Sequence, residues 1–265
     1  MRQVIPPGPS VGLVGVVVLL GALETTTSDG LGPAAWLVGI ASALTLVTLL
    51  TAGLRGASRD RLTPADRITL TRAVISCGVA ALVAGSAVAA PSHGVAPGVL
   101  VALASVALVL DAVDGRVARR TGTVHPLGAR FDMETDAFLI LVLSTHVAAD
   151  LGWWVLGIGF ARYVLLLLAA LSRWASWLRG QVPARRWRKA VAAYQGIVLT
   201  AATSHLLPTP VVTVAVAAGL GLLVVSFGTE VLTLRRSALT VRHGAEVAVR
   251  RAGMPSPSVE AGVVP

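Results

Sequence analysis

The chain alternates long apolar runs with short arginine-rich connectors, and that alternation constrains its fold more than any other feature. The runs lie at about 11–23, 34–54, 68–89, 99–119, 132–149, 154–171, 190–207 and 211–232. Lipid offers backbone groups no water to bond, so runs of this kind read as membrane-crossing helices. With 55% hydrophobic and only 13% charged residues, a soluble fold is excluded. The expected fold is therefore all-α: a polytopic membrane helical bundle of eight spans with both termini on the cytoplasmic side. The net charge of +9 comes from 22 Lys+Arg against 13 Asp+Glu. Because the arginines sit between the spans, the excess follows the positive-inside pattern and no nucleic-acid partner is expected.

The chain divides into residues 1–54, an accessory N-terminal membrane hairpin; 55–236, the main membrane domain; and 237–265, a cytoplasmic, partly disordered tail. The first run is short enough to resemble a signal-peptide core. The ETTTSDGLGP that follows it lacks a convincing small-residue cleavage site, so the hairpin is expected to be retained. Cys77, the single cysteine, lies in an apolar run and reads as a small buried hydrophobe.

Between the fourth and fifth runs lies Asp111 to Asp136, DAVDGRVARRTGTVHPLGARFDMETD, which sets four aspartates beside apolar sequence. An aspartate at mid-bilayer costs about 3 kcal/mol on insertion scales, so a cation is needed to offset the group. At about 100° per residue, Asp111, Asp114, Gly115, Ala118 and Arg119 share one arc of about 140° on a helix. On the next helix Asp132 and Asp136 stand one turn apart, while Glu134 points to the far side. Facing each other, the two helices would form a four-carboxylate oxygen cage suited to two hard divalent cations, Mg2+ or Mn2+. Gly115 and Ala118 leave bare backbone beside it, where a bulky ligand can approach.

These residues carry a resemblance. Asp111, Asp114, Gly115, Ala118, Arg119, Gly128, Asp132 and Asp136 stand at the spacing of the CDP-alcohol phosphatidyltransferase signature. The chain is similar to that family over roughly 62–236, so the last six spans are expected to form the family core. Upstream, Asp66, Thr69 and Arg72 match the family's looser Asn/Asp, Thr, Arg pattern. The resemblance implies that this face joins the nucleotide and diphosphate pocket; helix capping by Asp66 with a snorkelling Arg72 is the other reading.

The resemblance implies transfer of a phosphatidyl group from a CDP-linked lipid such as CDP-diacylglycerol to the hydroxyl of an acceptor alcohol. CMP would be released, in phospholipid biosynthesis. By resemblance, Asp111, Asp114, Asp132 and Asp136 hold two metal ions, and Asp136 is also the general base. Asp66, Thr69, Gly115, Ala118 and Arg119 would bind the CDP-lipid. Homodimers are common in the family, which makes a homodimer the quaternary state to look for. A catalytically silent scaffold of the same fold and a divalent-ion transporter are the alternatives. The complete aspartate set argues against the first, and the Gly and Ala at signature positions against the second.

Three arginines are candidates for the acceptor. Arg162 is the one charge within the run 154–171; it either faces a polar cavity and contacts an anionic group of the acceptor, or snorkels. Residues 172–189 interleave tryptophan with arginine and are expected in the headgroup layer of anionic membrane lipids. Arg185 and Arg186 are placed there to gather a phosphorylated acceptor. His125, in the signature loop, reads as solvated. Arg116, Arg119, Arg120 and Arg130 put that loop, and with it the cage, on the cytoplasmic face of the plasma membrane.

Overall fold

The computed structural model describes residues 7–26, 30–56, 63–88, 97–121, 126–171 and 186–251. Among them are eight α-helices and no strand: α1 (Pro7–Thr26), α2 (Gly32–Gly56), α3 (Pro64–Val88), α4 (Pro97–Thr121), α5 (Pro126–Leu151), α6 (Leu156–Leu171), α7 (Arg186–Thr203) and α8 (Thr209–Arg251). A 3-10 turn at Trp153–Val155 joins α5 to α6. The all-α bundle expected from the apolar runs is the fold observed. Proline stands first in α1, α3, α4 and α5, where its missing N–H costs no helical hydrogen bond. Gly152, at φ 104°, ends α5 in a conformation that favours glycine.

Among the described residues, four helices are long and apolar enough to cross a membrane, over Gly32–Leu54, Pro64–Val88, Gly98–Val117 and Thr209–Thr229. Ser10–Thr26 and Trp153–Leu168 are shorter apolar helices. α5 and α7 stand outside this group because charged residues crowd their N-terminal parts, from Arg130 to Asp136 and from Arg186 to Lys189. The tail boundary expected near 236 falls inside α8, which continues to Arg251. The stretch 253–265, expected to be disordered, lies outside the described residues.

α3 is the axis of the bundle, packed against α1, α2, α4 and α5. Its buried residues, from Ala65 to Val83, fall on every side of the helix. Most other helices keep one face outward, with Val14, Leu37, Val106, Leu166 and Val214 exposed. An outward apolar face is what lipid requires. Hydroxyls on such faces turn back to their own helix, as Thr45 does to the Ala41 carbonyl at 2.8 Å.

Glycines allow the helices to approach closely. Leu19 of α1 lies 2.6 Å from where a Cβ on Gly78 of α3 would stand, and Leu108 of α4 lies 2.6 Å from one on Gly196 of α7. Such contacts suit association in lipid, where close van der Waals packing replaces the hydrophobic effect. The hairpin of α1 and α2 is clasped at its turn by Glu24, whose Oε2 accepts from the Trp36 indole N–H at 2.9 Å and from the Leu31 backbone N–H at 3.1 Å. Those donors, the indole first, hold the Glu24 carboxyl below the usual carboxylate range.

At Gly159 a Cβ would stand 2.9 Å from the backbone Cα of Leu141, which no side-chain movement can relieve. Gly159→Val is therefore expected to destabilise the protein by about 1–3 kcal/mol, read as a lowered Tm in detergent. Gly21 has nothing within 4 Å of its Cβ position, so Gly21→Ala should leave stability unchanged or raise it by up to about 1 kcal/mol, read as an equal or higher Tm.

Candidate active site

The site forms where the start of α3, the end of α4 and the start of α5 meet at one end of the bundle. α3 opens with a reciprocal cap. The Thr63 backbone N–H donates to Asp66 Oδ2 at 2.9 Å, and the Asp66 N–H donates to Thr63 Oγ1 at 3.2 Å. One turn further, the Thr69 hydroxyl is shared between the Ala65 carbonyl and Asp114 Oδ2, each at 3.2 Å. On the next turn Arg72, only 2% exposed, extends its guanidinium into the space between α4 and α5.

There it meets all four signature aspartates. Nη1 donates to Asp114 Oδ2 at 2.6 Å and Asp132 Oδ1 at 2.5 Å, and pairs with Asp111 Oδ1 at 3.0 Å. Nη2 donates to Asp136 Oδ1. Helix periodicity explains the convergence: Asp111 and Asp114 are neighbours on one face of α4, and Asp132 and Asp136 on one face of α5. α3 packs on both helices, so its inward residues reach both carboxylate pairs.

The cluster fits a divalent ion. Asp111, Asp114 and Asp132 can each offer an oxygen so that all three lie within 4.8 Å of one another. All are hard carboxylate donors, the chemistry magnesium and manganese select. A cationic nitrogen, Arg72 Nη1, already sits among those oxygens as a stand-in for the ion. Four carboxylates against one guanidinium also leave the cluster strongly negative.

A family model described as CDP-alcohol phosphatidyltransferase matches residues 62–227, more than half of the chain and all of this site. The chain belongs to that family. It is thereby an enzyme of a CDP-alcohol phosphotransferase family, one that moves a phosphate-linked alcohol group from a CDP-alcohol to an acceptor alcohol. No curated protein and no solved structure matches the chain.

Gly115 is half-buried on α4 with Arg119 lying over it, the guanidinium 3.4 Å from where a Cβ would stand. Ala118 falls within α4, and Gly128 near the start of α5. Asp66 serves the α3 cap and Thr69 steadies Asp114, so both stand beside the cluster through the bonds they make. Arg162 is placed differently. Its Nη2 donates to Glu134 Oε1 at 2.6 Å and its Nη1 contacts the Met133 sulfur at 2.7 Å. Glu134 projects from the side of α5 opposite Asp132, as the helical spacing requires. Arg185 and His125 lie outside the described residues, and Arg186 opens α7.

Two participants were not evident from the residues alone. Arg72 was expected on a pocket wall or snorkelling, whereas it stands at the centre of the carboxylates. Its position six residues after Asp66 in an apolar run was the available signal. Lys189, in the first turn of α7, lies within electrostatic reach of Asp111. The basic loop before it masked that residue among many like charges.

Asp114 is almost fully buried and bonds both Thr69 and Arg72, whereas the Asp136 side chain is about a third exposed. In chelator, Asp114→Ala is expected to destabilise the protein by about 3 kcal/mol, the low end for breaking a buried pair because three carboxylates remain. Asp136→Ala should cost about 1 kcal/mol or less. Thermal unfolding of the two purified variants in EDTA tests the order.

Proposed function

We propose that the chain transfers a phosphatidyl group from a CDP-linked lipid, such as CDP-diacylglycerol, to the hydroxyl of an acceptor alcohol in phospholipid biosynthesis. The observation that carries this reading is the convergence of the four signature aspartates from α4 and α5 at one end of a membrane bundle. Asp111, Asp114 and Asp132 would hold divalent ions, with Asp136 completing the set. When bound, Mg2+ or Mn2+ would supply positive charge against the diphosphate and the departing CMP.

The chain's own residues do the rest. Asp136, about a third exposed, takes the proton of the acceptor hydroxyl as its oxygen bonds to the β phosphorus. The bond between that phosphorus and the oxygen bridging to CMP breaks, and CMP leaves with the electron pair. Gly115 lets the diphosphate lie close to α4, and Arg119 beside it offers a two-pronged contact to phosphate. Ala118, by its place in the signature, would leave room for the CDP-lipid on the same helix. Thr69 holds Asp114, and the Asp66 cap holds the turn from which Thr69 and Arg72 project.

A phosphorylated acceptor suits the positive charge around the site better than a neutral one. Arg185 and Arg186 are the candidates to gather it; Arg162 would first have to exchange its pairing with Glu134. The start of α3, the end of α4 and the start of α5 share one membrane face with Arg67, Arg116, Arg119, Arg120 and Arg130. The positive-inside rule makes that face cytoplasmic, and both termini with it, in the plasma membrane. The hairpin 1–54 lies outside the family match and acts as a brace on α3. A homodimer remains part of this reading.

The test is CMP release from CDP-diacylglycerol with Mg2+ or Mn2+ across a panel of acceptor alcohols. One acceptor is expected to support release, and Asp136→Asn to lower the rate by about 10²–10⁴-fold while the protein still binds the CDP-lipid. Failure of the wild type to bind CDP-lipid at all would overturn the assignment.

A further inference from the structure

Arg72 does something in this cluster that hydrogen bonding alone does not account for. Its Nη1 carries two hydrogens, yet it lies within 3.0 Å of carboxylate oxygens from Asp111, Asp114 and Asp132. One nitrogen cannot direct good bonds at three acceptors, so at this point it acts as a compact positive charge. Its Nε, meanwhile, is buried without a hydrogen-bond partner, which costs free energy. The pose is thus set by the carboxylates' demand for a cation rather than by the best bonding of the guanidinium. The three aspartates are also those whose oxygens close to within 4.8 Å of one another. An oxygen-ligated divalent ion sits roughly 2.0–2.6 Å from its donors, so an ion among these oxygens and Nη1 in its present place exclude each other.

We propose that Arg72 is the resident counter-cation of the carboxylate cluster. It keeps the four aspartates assembled when no divalent ion is bound, and it withdraws from its Nη1 position when one binds. The inference rests on the reading that this cluster takes divalent ions. It makes Arg72 a positioning residue: it holds the metal-binding side chains in register between α4 and α5. It also competes for the position they surround. The protein can then fold with the four aspartates drawn together and load metal afterwards. The apparent metal affinity is lowered in proportion to the time the guanidinium spends in the cluster.

The experiment uses the full chain in detergent with Mn2+ as probe and no lipid substrate. Mn2+ binding is followed by electron paramagnetic resonance, and Tm is measured in EDTA and in saturating Mn2+. If Arg72 occupies the cluster about nine-tenths of the time, Arg72→Gln should bind Mn2+ about tenfold more tightly than wild type. Its Tm should fall in EDTA and recover in Mn2+, because the ion then supplies the missing charge. Arg162→Gln, which breaks an ion pair away from the cluster, should shift Tm equally in both conditions. If Arg72→Gln yields no folded protein, Arg72→Lys takes its place. Its single ammonium on a shorter stem cannot engage all four carboxylates, so it too should bind Mn2+ more tightly than wild type.

Equal or weaker Mn2+ binding by the Arg72 variant, or a Tm loss that Mn2+ does not restore, would overturn the proposal. In that event the proposed function stands so long as the wild type binds Mn2+. Absence of Mn2+ binding in both wild type and variant would overturn the metal reading together with this inference.

Discussion

One buried guanidinium facing four carboxylates is the interaction on which the rest of the arrangement depends. A cluster of aspartates inside an apolar bundle is unfavourable by several kcal/mol unless a positive charge is held among them. Arg72 supplies that charge from α3, while the carboxylates come from α4 and α5. The pairing therefore ties three helices at one end of the bundle. It also sets which faces of α4 and α5 turn inward, because only one register presents all four aspartates to α3.

This accounts for the central position of α3. A helix that carries the shared cation must be enclosed on the sides where the carboxylates lie, and its remaining faces must be covered as well. α1 and α2 provide that cover, with Leu19 set against Gly78 and with Leu20 and Ala81 set against Gly39. The hairpin outside the family match is thus joined by packing to the helix that orders the site. Farther away, Gly159 brings α6 against the Leu141 backbone, and Gly196 brings α7 against Leu108, so α5 and α4 are each held from a second side. At that end of the bundle Asp111, Asp132 and Asp136 remain partly exposed, while Asp114 is buried.

Much of this was legible in the residues. Helix number followed from the apolar runs because lipid leaves the backbone few alternatives to helix. The four aspartates were legible as one site because spacings of three and four place each pair on one helix face. The family was legible because Gly115, Ala118, Arg119 and Gly128 stand at fixed distances from them. Less legible was Asp66, for which capping and ligand contact share the same sequence pattern; the reciprocal bond with Thr63 shows the capping. Arg162 was expected to face a polar cavity or to snorkel, and periodicity along α5 does not say which face α6 will cover. Its pairing with Glu134 depends on how α6 packs.

The sequence by itself determined that this is a membrane helical bundle with a four-aspartate site of the CDP-alcohol phosphatidyltransferase family. Hydropathy and helical spacing are local properties, and they are readable wherever the chain is apolar or the charges recur on one face. The tertiary structure alone decided that Arg72 stands inside the site rather than at its edge, and that Arg162 turns to Glu134. Both outcomes depend on which helices become neighbours. A charge buried in a low-dielectric bundle goes to whichever opposite charge packing brings within reach.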